Sequence, residues 1–503
     1  MKTYTMLNRL LFSIICLGFF LPLDARSEGS TSKELQAAVR AEIQRALSSK
    51  EDNPLKQLIR DEIKKLSVTD SQTVGSLDSQ MVGNTEAATS PISDDSAASV
   101  EQNLAKVPSK STSKKIPFEF ELSGYGDMRF SHYDYDENIT QNEGSRSNSS
   151  NAFDLSRFVV NIEGEYQPAE VGFEAEVEFE HGGTGTTKEL EFEEFGEFED
   201  EIENGGEVIL EELYLWKKFG DRFKVRAGRF YVGVGLLSNY YRPTDYLAVS
   251  RSEAETTLLP AVWDEIGVSL EKKFDWGKIT LQAVNGLDSS GFSSAEWIAS
   301  GHQEKFEVNR AEDLAYVARL DLKPSPDLLF GGSIYYAAST SGNRPRADLD
   351  QDGKLLILSS HAVLDYENWQ AKGVFIWGSL DDSAEISDRN SRLSNNLGVQ
   401  RTPVAEEAMA WWGEVGYDCA PALNVSGQHE IVPFFRFDYY DTFYQAASGV
   451  FANPRFERTV YTAGLAYTYM NSITTKLDWS YREFGGNGID EQNVIRLGLG
   501  FIY

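Results

Sequence analysis

Two sets of charged residues in this chain could act on a dissolved ion. They are Arg226, Arg242, Arg251, Arg319 and Arg436 on one side, and Glu174, Glu176, Asp245, Glu253 and Asp438 on the other. Charges fixed around a narrow, partly desolvated space sort ions by sign, because each counts for more there than in bulk water. The plainer role for any one of them is to pair with a neighbouring charge and keep a polar wall wet. The chain carries a formal charge of −31, yet charges farther off than a Debye length, ~8 Å at physiological salt, are largely screened. The local sets nearly balance, so the expected preference is at most mildly for anions.

Other chemistry is thinner. Asp348-Leu349-Asp350-Gln351-Asp352-Gly353 places oxygens on alternate residues before a glycine, the opening of a calcium loop. Asp348, Asp350 and Asp352 are therefore candidate calcium ligands in an outer loop. The twelfth position is Ser359, where an EF-hand uses glutamate, and no flanking helices are expected. No other cofactor is expected. The histidines His132, His181, His302, His361 and His429 are scattered, without zinc-type spacing. His361 beside Ser359 and Ser360 is the one pairing open to hydrolase chemistry. The acidic run from Glu189 to Glu203 reads as a solvated outer loop, or as a bridge to lipopolysaccharide through divalent cations. The acid excess excludes nucleic acid as a partner, since phosphate binding needs basic patches.

The charged residues must be held by strands. Val171, Phe173, Ala175, Val177 and Phe179 alternate with Gly172, Glu174, Glu176, Glu178 and Glu180. Successive side chains of a strand point to opposite faces, so such a ladder has one apolar and one polar face. Similar ladders recur from Pro117 onward, about sixteen in all, with centres near 125, 160, 175, 213, 227, 267, 282, 318, 333, 360, 373, 412, 435, 464, 478 and 498. The last of them, Asn493 to Tyr503, is an apolar strand that ends on an aromatic. Connections between ladders alternate in length. Pro168-Ala169-Glu170, Gly220-Asp221-Arg222 and Tyr366-Glu367-Asn368 are short; polar stretches near 181–206, 231–260 and 379–406 are long. A soluble sandwich has no reason to sort its loops by parity, whereas an up-and-down transmembrane barrel does. The fold expected is an all-β antiparallel barrel of about sixteen strands over 117–503, with its polar faces turned inward.

The rest of the chain reads differently. Residues 1–27 resemble a secretory signal: Lys2 and Arg9 precede the apolar run Leu10 to Leu23, and Ala25-Arg26-Ser27 suits cleavage. Residues 28–66 carry two helical stripes, the first Leu35, Val39, Ile43 and Leu47, the second Leu55, Leu58, Ile59, Ile63 and Leu66. Each stripe is narrow, so a coiled-coil-like self-association competes with a frayed single helix. Residues 67–116 are Ser-, Thr- and Asp-rich, a flexible linker. Loss of the signal leaves Cys419 as the one cysteine, so no intrachain disulfide is expected.

Several segments of the barrel region resemble the phosphate-selective porin family of outer-membrane channels, the O/P type. These are Phe153-Asp154-Leu155-Ser156-Arg157-Phe158, then Val225-Arg226-Ala227-Gly228-Arg229-Phe230, and above all Val432-Pro433-Phe434-Phe435-Arg436-Phe437-Asp438-Tyr439-Tyr440-Asp441. The resemblance covers most of 117–503. It implies a homotrimer in a Gram-negative outer membrane, in contact with its lipid and lipopolysaccharide. The N-terminal stalk would stand in the periplasm, and the third long loop, here 231–260, would narrow each pore. It also implies passive diffusion of small hydrophilic solutes, including anions such as phosphate. The loop has Arg242 and Arg251 but not the family's lysine cluster, and it carries Asp245, Glu253 and Glu255. Two alternatives remain: an adhesin or structural anchor with an occluded barrel, and a barrel hydrolase with a Ser–His pair on the lipid-facing wall.

Overall fold

The computed structural model describes residues 118–135, 149–182, 208–303, 308–345, 349–393, 402–425, 427–486, 489 and 491–503, and the backbone of a short ribbon at 189–191 and 199–201. The signal, helical and linker regions expected over 1–116 lie outside the described residues, as does Asp348.

Period-two alternation produces strands wherever it was read. Sixteen of them form a closed antiparallel barrel, each paired with its neighbours in the chain and the last with the first. They are β1 (Phe118–Asp134), β2 (Ser149–Tyr166), β3 (Val171–Glu180), β4 (Val208–Lys218), β5 (Phe223–Tyr231), β6 (Asp264–Phe274), β7 (Gly277–Asn285) and β8 (Leu314–Ser325). The second half comprises β9 (Leu328–Ala337), β10 (Leu355–Tyr366), β11 (Trp369–Leu380), β12 (Glu407–Tyr417), β13 (His429–Gln445), β14 (Glu457–Tyr469), β15 (Ile473–Phe484) and β16 (Gln492–Ile502). Every ladder centre expected from the sequence falls inside one of these strands. Closure is by β1 against β16, from Tyr125 opposite Ile502 to Asp134 opposite Asn493. Beyond it, Tyr503 and Gly124 exchange backbone hydrogen bonds of 3.0 and 3.1 Å. A closed sheet leaves no edge strand to pair with another chain.

The polarity of the molecule is inverted relative to a soluble protein. Outward positions of the strands expose large apolar side chains: Phe120 is 70% exposed, Leu215 68%, and Leu213, Leu281, Leu477, Leu497 and Leu499 about half. Inward positions bury polar ones, among them Arg319, Arg436, Asp438, Thr462, Lys476 and Asp478. An apolar surface of this extent is stable only against lipid or another apolar surface. Aromatics gather at the short-turn end, where Phe274 stacks on Trp276 at 4.8 Å and Trp369 meets Tyr417 at 4.9 Å. Amphipathic rings suit a membrane–water boundary.

At the opposite end the long connections pack on one another. Trp297 is fully buried and its indole nitrogen donates to the Ala405 carbonyl at 3.2 Å. Its ring lies against Gly378, where any Cβ would collide with it. The helix Ser383–Asn390 is held by its last residue, whose amide donates to the carbonyls of Ser289 and Phe292 at 2.9 and 3.0 Å. Arg344, buried, donates to the Asn390 side-chain oxygen at 2.9 Å.

Candidate constriction

The connection 232–263 leaves β5 and returns at β6 by folding into the barrel. Its apolar residues explain the direction: Val232, Val234, Leu236, Leu237, Leu247, Val249, Ala254 and Leu258 are all buried, which an outward loop could not achieve. Within it, a short helix, α1 (Glu253–Leu258), starts at Ser252, whose hydroxyl caps the Glu255 amide at 3.4 Å. The Glu255 carboxylate folds the loop on itself. It accepts from the amides of Leu236 and Leu237 at 2.6 and 2.9 Å and from the Trp412 indole at 2.8 Å. Burial raises its pKa against the opposing pull of these donors. Gly235 sits at φ +69°, with the Glu255 carboxylate where a Cβ would be, so no other residue type fits there.

The wall grips the loop through charged groups. Glu414 accepts from the amides of Leu247 and Ala248 at 3.0 and 3.4 Å, and Asp478 from Val249 at 2.7 Å. Asp438 accepts from the Ser252 hydroxyl at 2.5 Å and the Ala254 amide at 3.3 Å. Loop carbonyls accept in turn from Arg319 (Gly235, 2.7 Å), Lys372 (Asp245, 2.6 Å), Arg436 (Ser250, 2.7 Å) and Lys476 (Tyr246, 2.6 Å). Arg482 pairs with Glu253 at 2.5 Å, and Tyr440 also donates to that carboxylate. Inner-face glycines supply seats as well. Val249 packs where Gly498 has no side chain, and Pro243 does the same at Gly500. Among the described residues of β1–β4, only Arg157 donates to the loop, at 3.3 Å to both the Tyr241 carbonyl and the Tyr246 hydroxyl.

Of the residues expected to act on ions, Arg242, Arg251, Asp245 and Glu253 lie on this loop and Arg319, Arg436 and Asp438 hold it, whereas Arg226, Glu174 and Glu176 do not contact it. Arg319 pairs with Asp321 at 3.0 Å and Arg436 with Asp438 at 2.9 Å. Arg242 pairs with Asp245 at 3.2 Å, and Arg251 donates to the Ala261 carbonyl at 3.1 Å. Arg226 stands apart on β5, 3.9 Å from Glu271, with its guanidinium over the Tyr214 ring. Glu174 and Glu176 face inward on β3, where Asn161 donates to both at 3.1 and 3.0 Å.

Sequence reasoning passed over Glu414, Asp478 and Lys372, whose importance is to hold backbone groups. Their positions on the polar ladders were visible, but their partners lie far away in the chain. It also passed over Glu211 and Glu212. The register shifts between Glu176 and Val177, so both glutamates are buried beside β3 rather than one on each face.

His361 points inward. Its Nε2 lies 2.8 Å from Asp321 Oδ1, while Ser359 Oγ is 2.6 Å from Ser333 Oγ and accepts from the Gly235 amide at 3.1 Å. The lipid-facing Ser–His pair that a hydrolase needs is not what these residues form. At the calcium-like loop, Asp350 Oδ2 accepts from Arg389 at 3.3 Å, and the Asp350 amide donates to Glu385 at 3.0 Å.

A lumen-crossing loop inside a closed sixteen-stranded barrel with an apolar exterior defines a membrane β-barrel. No protein-family model matches the chain. An uncharacterized protein of Aquifex aeolicus is 22% identical over 368 residues, 72% of this chain and 76% of the relative. Among solved structures, OmpF of Salmonella typhi in complex with daunomycin aligns with a TM-score of 0.47 and 14% identity, over 76% of this chain and 97% of that one. The outer-membrane channel DcaP of Acinetobacter baumannii aligns at 0.46 and 8%, over 77% and 98%. An anion-selective porin from Comamonas acidovorans aligns at 0.42 and 10%, over 77% and 100%.

Proposed function

We propose that the protein is an outer-membrane channel for passive diffusion of small hydrophilic solutes and ions, narrowed by residues 232–263. The observation that carries this reading is the loop itself, pinned across a polar lumen by carboxylates, lysines and arginines of the wall. A barrel with an apolar exterior and short turns at one end suits the outer membrane of a Gram-negative bacterium. Homotrimeric assembly, a periplasmic N-terminal stalk and contact with lipopolysaccharide belong to the proposal through the family resemblance. A preference for anions such as phosphate belongs to the proposal through the family resemblance alone. Arg242, Arg251, Arg319 and Arg436 all donate to a carboxylate or a backbone carbonyl, which weakens their field on a passing anion. Calcium at Asp348, Asp350 and Asp352 rests on their alternate spacing alone, and Arg389 already neutralises Asp350.

A second reading, an anchor with an occluded barrel, draws on the burial of inward groups. Arg319, Asp321, Arg436, Asp438, Lys476 and Asp478 are all less than a tenth exposed. Planar-bilayer recording of the purified, detergent-extracted protein separates the two. Stepwise conductance supports the channel. Barrels that insert with heat-modifiable mobility yet pass no current would establish the anchor.

A further inference from the structure

Most of the loop is buried, but one edge of it is not. Within 238–244, Asn239 and Arg242 are exposed, and Ser238, Tyr240, Tyr241 and Thr244 are half-buried. The sheet is closed around this loop, so exposure here is exposure to the lumen. Two turns set the shape of the edge. The amides of Asn239 and Tyr240 donate to the carbonyls of Leu236 and Leu237 at 3.0 and 3.2 Å, and the Asp245 amide donates to the Arg242 carbonyl at 2.9 Å. Its rings are braced from behind. Tyr241 lies 5.1 Å from the Tyr231 ring and 5.9 Å from that of Tyr125, both buried. Tyr240 packs on the main apolar cluster, with the Lys372 ammonium 5.7 Å from its ring centroid.

What this edge offers a solute is neutral. Its one cation is cancelled locally: Arg242 pairs with Asp245 at 3.2 Å, and Asp245 also accepts the Arg242 amide at 3.1 Å. Its hydroxyls are uncommitted. Among the described residues the hydroxyls of Tyr240, Tyr241 and Thr244 have no hydrogen-bond partner, and none of the three is shut away from solvent. The Asn239 amide makes only a long contact, 3.5 Å, to Ser238 Oγ. Tyrosine faces beside free hydroxyls and a carboxamide match a pyranose ring, which presents a C–H face and a rim of hydroxyls. To an inorganic ion the same groups offer little that water does not.

We propose that residues 238–244 form a binding station for uncharged polyhydroxylated solutes, short sugars, on their way through the barrel. This rests on the channel reading and gives it a substrate class. Tyr240 and Tyr241 stack on the sugar ring, while Ser238, Asn239 and Thr244 exchange hydrogen bonds with its hydroxyls. These groups are hydrated when the station is empty, so binding trades one set of hydrogen bonds for another and the net gain is small. Weak binding is what passage requires, because a solute that enters must also leave.

The test is single-channel recording of the purified protein in potassium chloride, with maltotriose added on one side. Millimolar maltotriose should reduce the wild-type current, and polyethylene glycol of the same mass should not do so at that concentration. The double variant Tyr240→Ala, Tyr241→Ala should need about ten-fold more sugar for the same reduction, while keeping heat-modifiable mobility. Asn239→Ala leaves both rings in place and should need about three-fold more; it decides the matter if the tyrosine variant does not insert. A wild-type current that maltotriose leaves unchanged, an equal effect of the polyethylene glycol, or an undiminished effect in the inserted variant overturns this inference and leaves the channel standing. Inserted wild-type barrels without any current overturn both.

Discussion

The backbone amide of Val249 donates to the Asp478 carboxylate at 2.7 Å across 229 positions of sequence, while the Val249 side chain fills the space beside Gly498. Amide and side chain of one loop residue are thus fixed by two adjacent strands. A Cβ at 498 would lie 2.8 Å from Val249 Cγ1.

Gly498→Leu should therefore expel Val249 from its seat. Overpacking of this kind costs about 1–3 kcal/mol. The refolded variant should unfold at lower urea and show a larger single-channel conductance, because the loop withdraws from the lumen. Unchanged conductance with a lowered unfolding midpoint would mean that the loop does not set the bore.

Acid should loosen the loop only under strong conditions. Burial acts to raise the pKa of Glu253, but Arg482 and the Tyr440 hydroxyl outweigh it and hold the group at about 2, against 4.5 for the unfolded chain. A lowered folded pKa gives stability that is present above about 4.5 and lost as pH falls through about 2. Thermal unfolding followed from pH 5 to pH 2 should show this decline, and Glu253→Gln should remove that component of it.

Arg242 should matter little to selectivity, since Asp245 already pairs with it. Replacing it with alanine should change the K⁺ to Cl⁻ permeability ratio by no more than about two-fold, as expected for a charge that is paired and screened. A large fall in anion current would return Arg242 to the filter.

Trp297→Ala should open the packed end of the barrel without undoing the barrel. Truncating a fully buried tryptophan costs about 3–5 kcal/mol. Here the loss falls on the contacts to Gly378 and Ala405. Protease added to the folded protein should cut the long loops faster, while heat-modifiable mobility persists.

Much of this architecture was legible because a barrel wall obeys a local rule. The period-two ladder of β3 reveals both of its faces from ten consecutive residues, and the alternation of Pro168-Ala169-Glu170 with 181–206 reveals which ends carry short turns. The inward set that includes Arg157, Arg319, Arg436, Lys476 and Arg496 follows from the same rule. The site was less legible because its contacts are not local. Nothing near Glu414 in the chain shows that it accepts the amides of Leu247 and Ala248, and nothing near Gly498 shows that Val249 needs its space. The bulge that brings Glu211 and Glu212 together is likewise a property of pairing between β3 and β4, not of either strand alone.

The seats of the loop also impose an order of events on assembly. Residues 232–263 belong to the first half of the barrel region, while Glu414, Arg436, Asp438, Lys476, Asp478 and Gly498 belong to the final hundred residues of the chain. Contacts so distant in sequence form only after the intervening strands have been brought into register. A barrel lacking β15 and β16 would have no Asp478, Arg482 or Gly498 to receive the loop. The loop across the lumen is therefore the last part of the structure to find its seat.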